Sequence, residues 1–178
     1  AAALHRITAL GALLTVIAAC LAWPAGAAPV TVYAAGDIAR CADPAPRWSG
    51  AAATAAIVSA GLDADPQAMV LALGDLTYPR GTLAEFTSCY GPTWGKFKAR
   101  ALPAPGNHEY LTLGAAGYFR YFGAIAGPGY YRVQLDGWQL YSLDSNLGPA
   151  AHIAQTAWLR AELARHPARC TLAYWHHP

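Results

Sequence analysis

The sequence predicts an α/β fold with one hairpin inserted among alternating strands and helices. Short hydrophobic runs at residues 30–35, 69–73 and 171–175 have the length and composition of buried strands. Segments with helical signals separate these runs, and the dipeptide Asp136-Gly137 has the residue types of a tight hairpin turn. Strands that alternate with helices favour a mixed sheet whose outer faces are covered by helices.

The first half of the chain shows this alternation clearly. An Ala-rich helix over residues 49–60 follows the first strand and is expected to end at Gly61. After the second strand, residues 82–85 (Thr-Leu-Ala-Glu) form a capping box that begins a short helix toward Cys89. Residues 101–104 are a weaker candidate for the third strand.

The second half contains the hairpin and a longer helix. Residues 114–122 include four aromatic side chains that are expected to pack in the core rather than to bind a ligand. Residues 130–135 and 138–143 form the two hairpin strands. A helix over residues 151–165 has apolar side chains at near-helical spacing and ends at His166-Pro167.

The composition fits one folded domain without a nucleic-acid surface. The chain has 178 residues and a mass of 18.7 kDa, which is enough for a substantial core. Hydrophobic residues make up 55% and charged residues 12%, which excludes a largely disordered chain. The net charge is only +2, and Lys and Arg cluster at residues 96–100 alone, so no nucleic-acid binding is implied.

Residues 1–28 have the pattern of a secretory signal peptide. A weakly positive start precedes an apolar run at residues 7–21, and small residues before residue 28 form a cleavage site. The apolar run is too short for a stable membrane span. Residues 29–178 are therefore predicted to be the exported domain, either secreted or periplasmic. An alternative is a lipoprotein signal, in which Cys20 is acylated and anchors the protein.

The remaining cysteines agree with export. Cys41 and Cys89 both lie in loops that follow predicted strands, so they can approach each other, and an oxidising compartment permits a disulfide between them. Cys170 opens the final strand and is expected to be buried and free.

Polar residues follow the strand ends in four places. They are Gly36-Asp37, Gly74-Asp75 with Tyr78, Gly106-Asn107-His108-Glu109, and His176-His177. Each motif alone also has a structural explanation, because Gly-Asp makes turns and caps helices. Ligands bind beyond the carboxyl ends of the strands in open α/β sheets. Together the motifs bring carboxylate, phenol, amide and imidazole groups to one edge, which indicates a metal site for phosphate chemistry.

These ordered motifs resemble those of the calcineurin-like metallophosphoesterase superfamily, and within it the branch similar to purple acid phosphatases. The resemblance covers residues 30–178 and implies a four-layer α/β/β/α sandwich with a dinuclear metal centre. It also implies a hydrolase of phosphoric esters, most simply a phosphomonoesterase that cleaves small-molecule substrates with a metal-bound hydroxide.

The resemblance assigns a role to each polar residue. It implies that Asp37 binds the first metal ion and that Asp75 bridges both ions. Asn107 and His176 are implied to bind the second ion. His108 is implied to act on the leaving group as a general acid.

Tyr78 bears on the identity of the first metal. Many members of the superfamily have a histidine two residues after the first aspartate, where this chain has Ala39. Tyr78 is similar to the tyrosinate that takes this place in the purple acid phosphatase branch. A phenol with a pKa of about 10 ionises near neutral pH only beside a strongly acidic cation, which favours ferric iron. Zn, Mn or Fe is expected at the second position.

One family motif does not occur in this sequence. The superfamily supplies two further metal-binding histidines from a Gly-His-x-His motif. We therefore expect the sequence to be the N-terminal part of a longer enzyme. This part alone would lack one ligand for each metal ion, so it could be inactive. A phosphodiesterase of the same superfamily and a non-catalytic binding module remain open as alternatives. The sequence does not indicate an oligomeric state.

Overall fold

Two three-stranded sheets organise the part of the chain that the structure describes. The computed structural model describes residues 30–41 and 50–178. The predicted signal peptide at residues 1–28, with the alternative lipid anchor at Cys20, lies outside the described residues. Together with the helices, the sheets give a mixed α/β architecture, as the sequence predicts.

The first sheet is parallel, with its strands in the order β1, β3, β5. These strands are β1 (Val32–Ala35), β3 (Met69–Leu73) and β5 (Ala101–Ala104). The central strand β3 buries Val70, Leu71 and Ala72, as expected for a strand that is covered on both faces. The carboxyl ends of all three strands point the same way, toward three of the motif loops.

Two short strands continue the pairing beyond the ends of β1 and β3. β2 (Ala39–Arg40) pairs in parallel with β4 (Thr77–Tyr78). The sequence did not predict this pair, because a strand of two residues is too short to show a hydrophobic period. The loop between β1 and β2 therefore runs beside the loop between β3 and β4.

The second sheet is mixed, with its strands in the order β6, β7, β8. β6 (Tyr131–Leu135) and β7 (Trp138–Ser142) form the predicted antiparallel hairpin, and β8 (Cys170–Tyr174) pairs in parallel with β7. Asp136 and Gly137 have φ angles of 40° and 81°. A two-residue type I′ turn requires this left-handed backbone at both positions, so the hairpin prediction is confirmed.

Two long helices lie on the outer faces of the sheets. α1 (Gly50–Ala64) buries Ala55 and Val58 in the same cluster as Val70 of β3. α5 (Pro149–Arg165) lies against the second sheet, where the ring of Trp158 is 4.8 Å from that of Tyr130. Among the described residues, no helix combines the length and the apolar character needed to cross a membrane.

Short helical elements connect β4 to β6. The capping box at Thr82 and Glu85 is present, as predicted, and begins α2. The α-helices are α2 (Leu83–Glu85), α3 (Asn107–Tyr110) and α4 (Ala116–Phe122). A π-helical turn spans Phe86–Tyr90, and 3-10 turns span Trp94–Arg100, Leu113–Ala115 and Gly123–Ala126.

Two apolar clusters hold these elements together. The larger cluster joins α1 and the short helices to the first sheet and includes Tyr118 from the predicted aromatic segment. The smaller cluster, which we call the inter-sheet cluster, lies between the two sheets. It contains Leu71 and Leu102 from the first sheet and Leu140 and Tyr174 from the second. The inter-sheet cluster therefore sets how the loops of one sheet face those of the other.

Two details correct the sequence prediction. α1 does not end at Gly61 but continues to Ala64. A Cβ atom at position 61 would lie 2.0 Å from the hydroxyl oxygen of Tyr33, so this glycine permits a close contact with β1 rather than ending the helix. Cys170 is free, as expected, but half-buried rather than buried, because β8 is an edge strand.

Candidate metal centre

Asp37 and Asp75 occupy matching places after β1 and β3. Both have left-handed backbone, with φ angles of 55° and 50°. The N–H of Asp37 donates to the carbonyl of Gly74 over 3.1 Å, and the N–H of Ile38 donates to the carbonyl of Asp75 over 3.0 Å. These bonds hold the two loops side by side. Left-handed backbone is strained for a residue other than glycine, and such strain is concentrated at functional sites.

Tyr78 joins the two carboxylates. Its hydroxyl donates to Oδ2 of Asp75 over 3.0 Å and also contacts Oδ1 of Asp37. Burial, together with these bonds to the two aspartates, raises the pKa of Tyr78 above its ordinary value. The Tyr78 hydroxyl therefore keeps its proton near neutral pH in this arrangement.

Asn107 and His108 begin helix α3 directly after β5 and Gly106. The backbone N–H of His108 donates to Oδ1 of Asp75 over 2.8 Å. Nε2 of the His108 ring lies 3.9 Å from Oδ2 of the same aspartate. The third motif therefore reaches the same edge of the first sheet as the second motif.

The ring of His108 is held in one orientation. Its Nδ1 lies 2.6 Å from the carbonyl oxygen of Pro79, and its centroid is 4.4 Å from that of Tyr78. Because a carbonyl oxygen only accepts hydrogen bonds, Nδ1 carries a hydrogen. Nε2 is the ring atom that faces Asp75, so it is the atom that can exchange a proton with a bound ligand.

His176 reaches the same place from the second sheet. It follows β8, and its Nδ1 lies 2.8 Å from the carbonyl oxygen of Leu73 at the end of β3. Gly74 permits this approach, since a Cβ atom there would lie 2.6 Å from Cβ of His176. The neighbouring His177 instead places its Nδ1 2.9 Å from Oγ of Ser145.

The donor atoms around His176 fit a cation. Because Nδ1 faces the carbonyl oxygen of Leu73, Nε2 is the ring nitrogen that faces the site, where it lies 3.2 Å from Oδ1 of Asn107 and 3.5 Å from Oδ1 of Asp75. The ligand atoms of Asp37, Asp75 and His176 all lie within 4.8 Å of one another. Electron pairs that converge in this way repel unless a proton or a metal ion lies among them. Oxygen and imidazole donors together suit Zn, Mn or Fe, without selecting one of them.

The structure brings together all six side chains that the sequence singled out for the site. They are Asp37, Asp75, Tyr78, Asn107, His108 and His176. Their convergence at the carboxyl edge of the first sheet is therefore confirmed. Their roles as metal ligands or as a general acid stay predictions.

Cys41 and Cys89 form the disulfide that the sequence predicts. Their Cα atoms are 5.3 Å apart, and the bond joins the end of β2 to the turn Phe86–Tyr90. Sγ of Cys41 also lies 3.4 Å from Oγ1 of Thr77 on β4. The disulfide therefore fixes the segment that carries Arg40 next to the strand that carries Tyr78.

Glu109 has a structural role at the site that the sequence did not reveal. Its fully buried carboxylate accepts hydrogen bonds from four backbone N–H groups. The donors are Asp75 at 2.9 Å, Leu76 at 2.9 Å, Thr77 at 3.4 Å and Gly106 at 2.7 Å. Burial, partly offset by these bonds, raises the pKa of Glu109 to about 7. The acid fixes the second motif loop against the third, and its place three residues after the N-cap Gly106 was the available signal.

Asp144, on the loop after β7, is a second buried acid that the sequence did not single out. Its Oδ2 accepts from the hydroxyl of Tyr110 over 2.5 Å, and its Oδ1 accepts from the N–H of Asn146 over 2.8 Å. Asn146 in turn donates to the carbonyl of Pro105 over 3.1 Å. This chain of bonds ties the second sheet to the residues that precede Asn107. The signal would have been the same as elsewhere, a polar residue just after a strand.

Comparisons of the chain with protein-family models and with curated proteins find no match.

Proposed function

We propose that the protein is a metal-dependent phosphoric ester hydrolase, most simply a phosphomonoesterase that acts on small-molecule phosphate esters. The observation that carries this proposal is the convergence of a carboxylate, a phenol and two imidazoles around Asp75, with the amide of Asn107 beside the imidazole of His176. Such a set holds metal ions, and ester hydrolysis also needs an acid beside them for the leaving group.

The donors would divide between two metal ions. We assign Asp37 and Tyr78 to the first ion, Asn107 and His176 to the second, and Asp75 to both. The two oxygens of Asp75 support the shared role, because Oδ2 faces Tyr78 and Oδ1 faces His176. Ferric iron fits the first position, since a strongly acidic cation is needed to displace the phenol proton. Zn, Mn or Fe fits the second.

The residues of the chain then orient the substrate and move a proton. Bound metal ions of this kind supply Lewis acidity and lower the pKa of water. His108 gives a proton from Nε2 to the oxygen that leaves phosphorus, while its bond to Pro79 keeps this nitrogen turned toward the site. A positioned general acid accelerates such a step roughly 10²–10⁴-fold.

We place the protein in the calcineurin-like metallophosphoesterase superfamily, near the purple acid phosphatase branch. Its four-layer sandwich is supported by α1 on the first sheet, the inter-sheet cluster, and the contact of Trp158 on α5 with the second sheet. Export to a secreted or periplasmic location is supported by the Cys41–Cys89 disulfide, because disulfides persist in oxidising compartments.

A substitution at Asp75 tests the metal centre. The full chain, loaded with iron and zinc or manganese, is expected to hydrolyse phenyl phosphate, and Asp75→Asn should lose metal and activity together because both ions share this carboxylate. Tyr78→Phe should remove a visible absorption band that arises from charge transfer between a phenolate and ferric iron. Metal analysis, kinetics and absorption spectra measure these outcomes. Full metal content and full rate in Asp75→Asn contradict the proposal.

A substitution at His108 tests the proton transfer separately. His108→Ala should retain both metal ions yet lose roughly 10²–10⁴-fold in rate on an alkyl phosphate, whose leaving group needs a proton. The loss should shrink on 4-nitrophenyl phosphate, because its leaving group departs without protonation. Equal losses on the two esters would show that His108 is not the general acid.

A further inference from the structure

A pocket adjoins the metal-ligand group on the side of His108. Its volume is about 370 Å³, and Arg40, Cys41, Tyr78, Pro79 and His108 line it. Two of these residues belong to the site as well, since the Tyr78 hydroxyl and the His108 backbone both bond to Asp75. A ligand bound beside Asp75 would therefore lie next to this pocket.

The walls of the pocket favour a flat, apolar group. The lining is mainly apolar, and it includes Tyr78, Pro79 and the disulfide-bonded Cys41. The Tyr78 hydroxyl bonds to aspartates and Nδ1 of His108 bonds to Pro79, so these two polar atoms already have partners. An aromatic ring packs well against such walls, in a tilted or offset arrangement on Tyr78.

Arg40 adds a positive charge to the lining of the pocket. Its guanidinium carbon lies 6.0 Å from the centroid of the Tyr78 ring, and the residue is exposed. The ion pairs among the described residues do not include Arg40. Arg80 is nearby in sequence, but its guanidinium donates to the carbonyl of Leu111 and it does not line the pocket. A planar guanidinium beside an aromatic wall is suited to a carboxylate or phosphate on a ring.

We propose that this pocket binds the leaving group of the ester, and that Arg40 selects aromatic leaving groups that carry an anionic substituent. The proposal rests on the proposed function, because His108 lines the pocket and supplies the proton. In that step the bond between phosphorus and the leaving oxygen breaks, and its electron pair stays on that oxygen. The proton from Nε2 of His108 converts the oxygen to a hydroxyl, and water supplies the oxygen that forms the new bond to phosphorus. The proton that this water loses returns to Nε2 of His108 through solvent.

The test compares phenyl phosphate with 4-carboxyphenyl phosphate, whose phenols are of similar basicity. In the full, metal-loaded chain, Arg40→Ala should lower kcat/KM for the carboxylated ester roughly 3–10-fold and leave phenyl phosphate nearly unchanged. For the carboxylated ester, the kcat/KM of Arg40→Lys should lie between those of the wild type and Arg40→Ala, because lysine keeps the charge but lacks the planar guanidinium. Arg80→Ala is the control, since it removes the same charge outside the pocket and should affect both esters alike.

A binding measurement separates this proposal from the proposed function. Titration of 4-hydroxybenzoate and phenol into the protein, followed by NMR, should show tighter binding of the carboxylated phenol, and Arg40→Ala should abolish the difference. Arg40-dependent binding without hydrolysis would preserve the pocket and overturn the hydrolase. Hydrolysis without discrimination at Arg40 would overturn the pocket alone. If neither hydrolysis nor Arg40-dependent binding were observed, both the proposed function and the pocket would be overturned.

Discussion

Asp75 makes more contacts within the site than its neighbours do. Its carboxylate meets the Tyr78 hydroxyl, the His108 backbone and the His176 ring, and the residue is 3% exposed. A buried carboxylate needs compensating partners, because loss of hydration disfavours its charge. Here the partners are the side chains that the proposal assigns to metal binding and proton transfer. Chemistry and folding therefore depend on the same residue.

The two adjacent histidines at the end of the sequence should have unequal roles. His176→Ala should weaken binding of the second metal ion strongly, because Nε2 of His176 faces Asn107 and Asp75. His177→Ala should cost far less, because its ring contacts Ser145 instead. Isothermal titration with Zn²⁺ or Mn²⁺ measures both. A greater loss from His177 than from His176 would reverse the assignment within the pair.

Glu109 should matter to the site although it touches neither proposed metal ion. In Glu109→Gln an amide NH₂ replaces one carboxylate oxygen, and that oxygen accepts hydrogen bonds from two backbone N–H groups. Each N–H group left unsatisfied should lower the free energy of unfolding by roughly 1–3 kcal/mol. The two motif loops should also separate, so metal affinity should fall. Chemical denaturation and metal titration measure these effects.

Glu85→Gln is the matched control for Glu109→Gln. Glu85 also accepts from backbone N–H groups, those of Arg80 and Thr82, but glutamine serves equally well at this place in a capping box. The stability and metal affinity of Glu85→Gln should therefore differ little from those of the wild type. If the two variants behaved alike, the role that we give Glu109 between the motif loops would be wrong.

At the scale of elements, helix α4 contains a glycine that close packing requires, although helix propensity favours alanine at such a position. Gly117 lies inside this helix, where alanine would normally be preferred by about 1 kcal/mol. A Cβ atom there would lie 2.0 Å from the carbonyl oxygen of Gly81 and 2.7 Å from the backbone nitrogen of Leu83. Backbone atoms cannot move aside as a flexible side chain can. The loop that follows Tyr78 is therefore held by this contact.

Gly117→Ala is accordingly expected to destabilise the protein. Overpacking of this kind costs roughly 1–3 kcal/mol, which exceeds the gain in helix propensity. Gly50→Ala is the control at the start of α1, where no other atom of the described residues outside the adjacent backbone lies within 4 Å of the added Cβ, and it should be neutral or slightly stabilising. Thermal unfolding of both variants measures the difference. A rise in Tm for Gly117→Ala would show that the loop after Tyr78 can move away from the added methyl group.

The sequence predicted those elements whose signals are local. The strands before the motifs, the Asp136-Gly137 turn and the helix that ends near His166 all follow from residues that are close in the chain. The predicted end of α1 was wrong because Gly61 permits a close contact with Tyr33 on β1 and does not end the helix. The short pair β2 and β4 has no period to detect.

The same distinction applies to the candidate site. The six site residues lie just after predicted strands, so their convergence could be predicted from the order of the elements. The function of Glu109 could not, because its four N–H donors come from two loops that are distant in the sequence. The buried Asp144 follows β7 and so had a local signal, but its bond to Tyr110, which is 34 residues away, could not be predicted from the sequence.

At the scale of the whole molecule, the site depends on contact between the two sheets. The first sheet carries Asp37, Asp75 and Asn107, whereas His176 follows β8 of the second. The inter-sheet cluster, which includes Leu140 at 2% exposure, fixes the distance between them. Metal ions that bind to both sheets would stabilise the folded state, because the unfolded chain does not present these ligands together.

Leu140→Ala should therefore weaken metal binding without any contact to the metal ligands. Removal of a buried leucine costs about 2–5 kcal/mol, because a cavity replaces the side chain. Leu163→Ala on α5 is the control, since this side chain is 43% exposed and should cost much less.

Thermal unfolding with and without Zn²⁺ or Mn²⁺ measures how metal binding and sheet packing are coupled. Metal at a hundred times its dissociation constant should stabilise the wild-type fold by about 2.7 kcal/mol. The gain should be smaller in Leu140→Ala at the same concentration, because the ligands from the two sheets are held together less firmly. An equal gain in the two proteins would mean that the site is set by the loops of the first sheet alone. No gain in the wild type would contradict a metal site that spans both sheets.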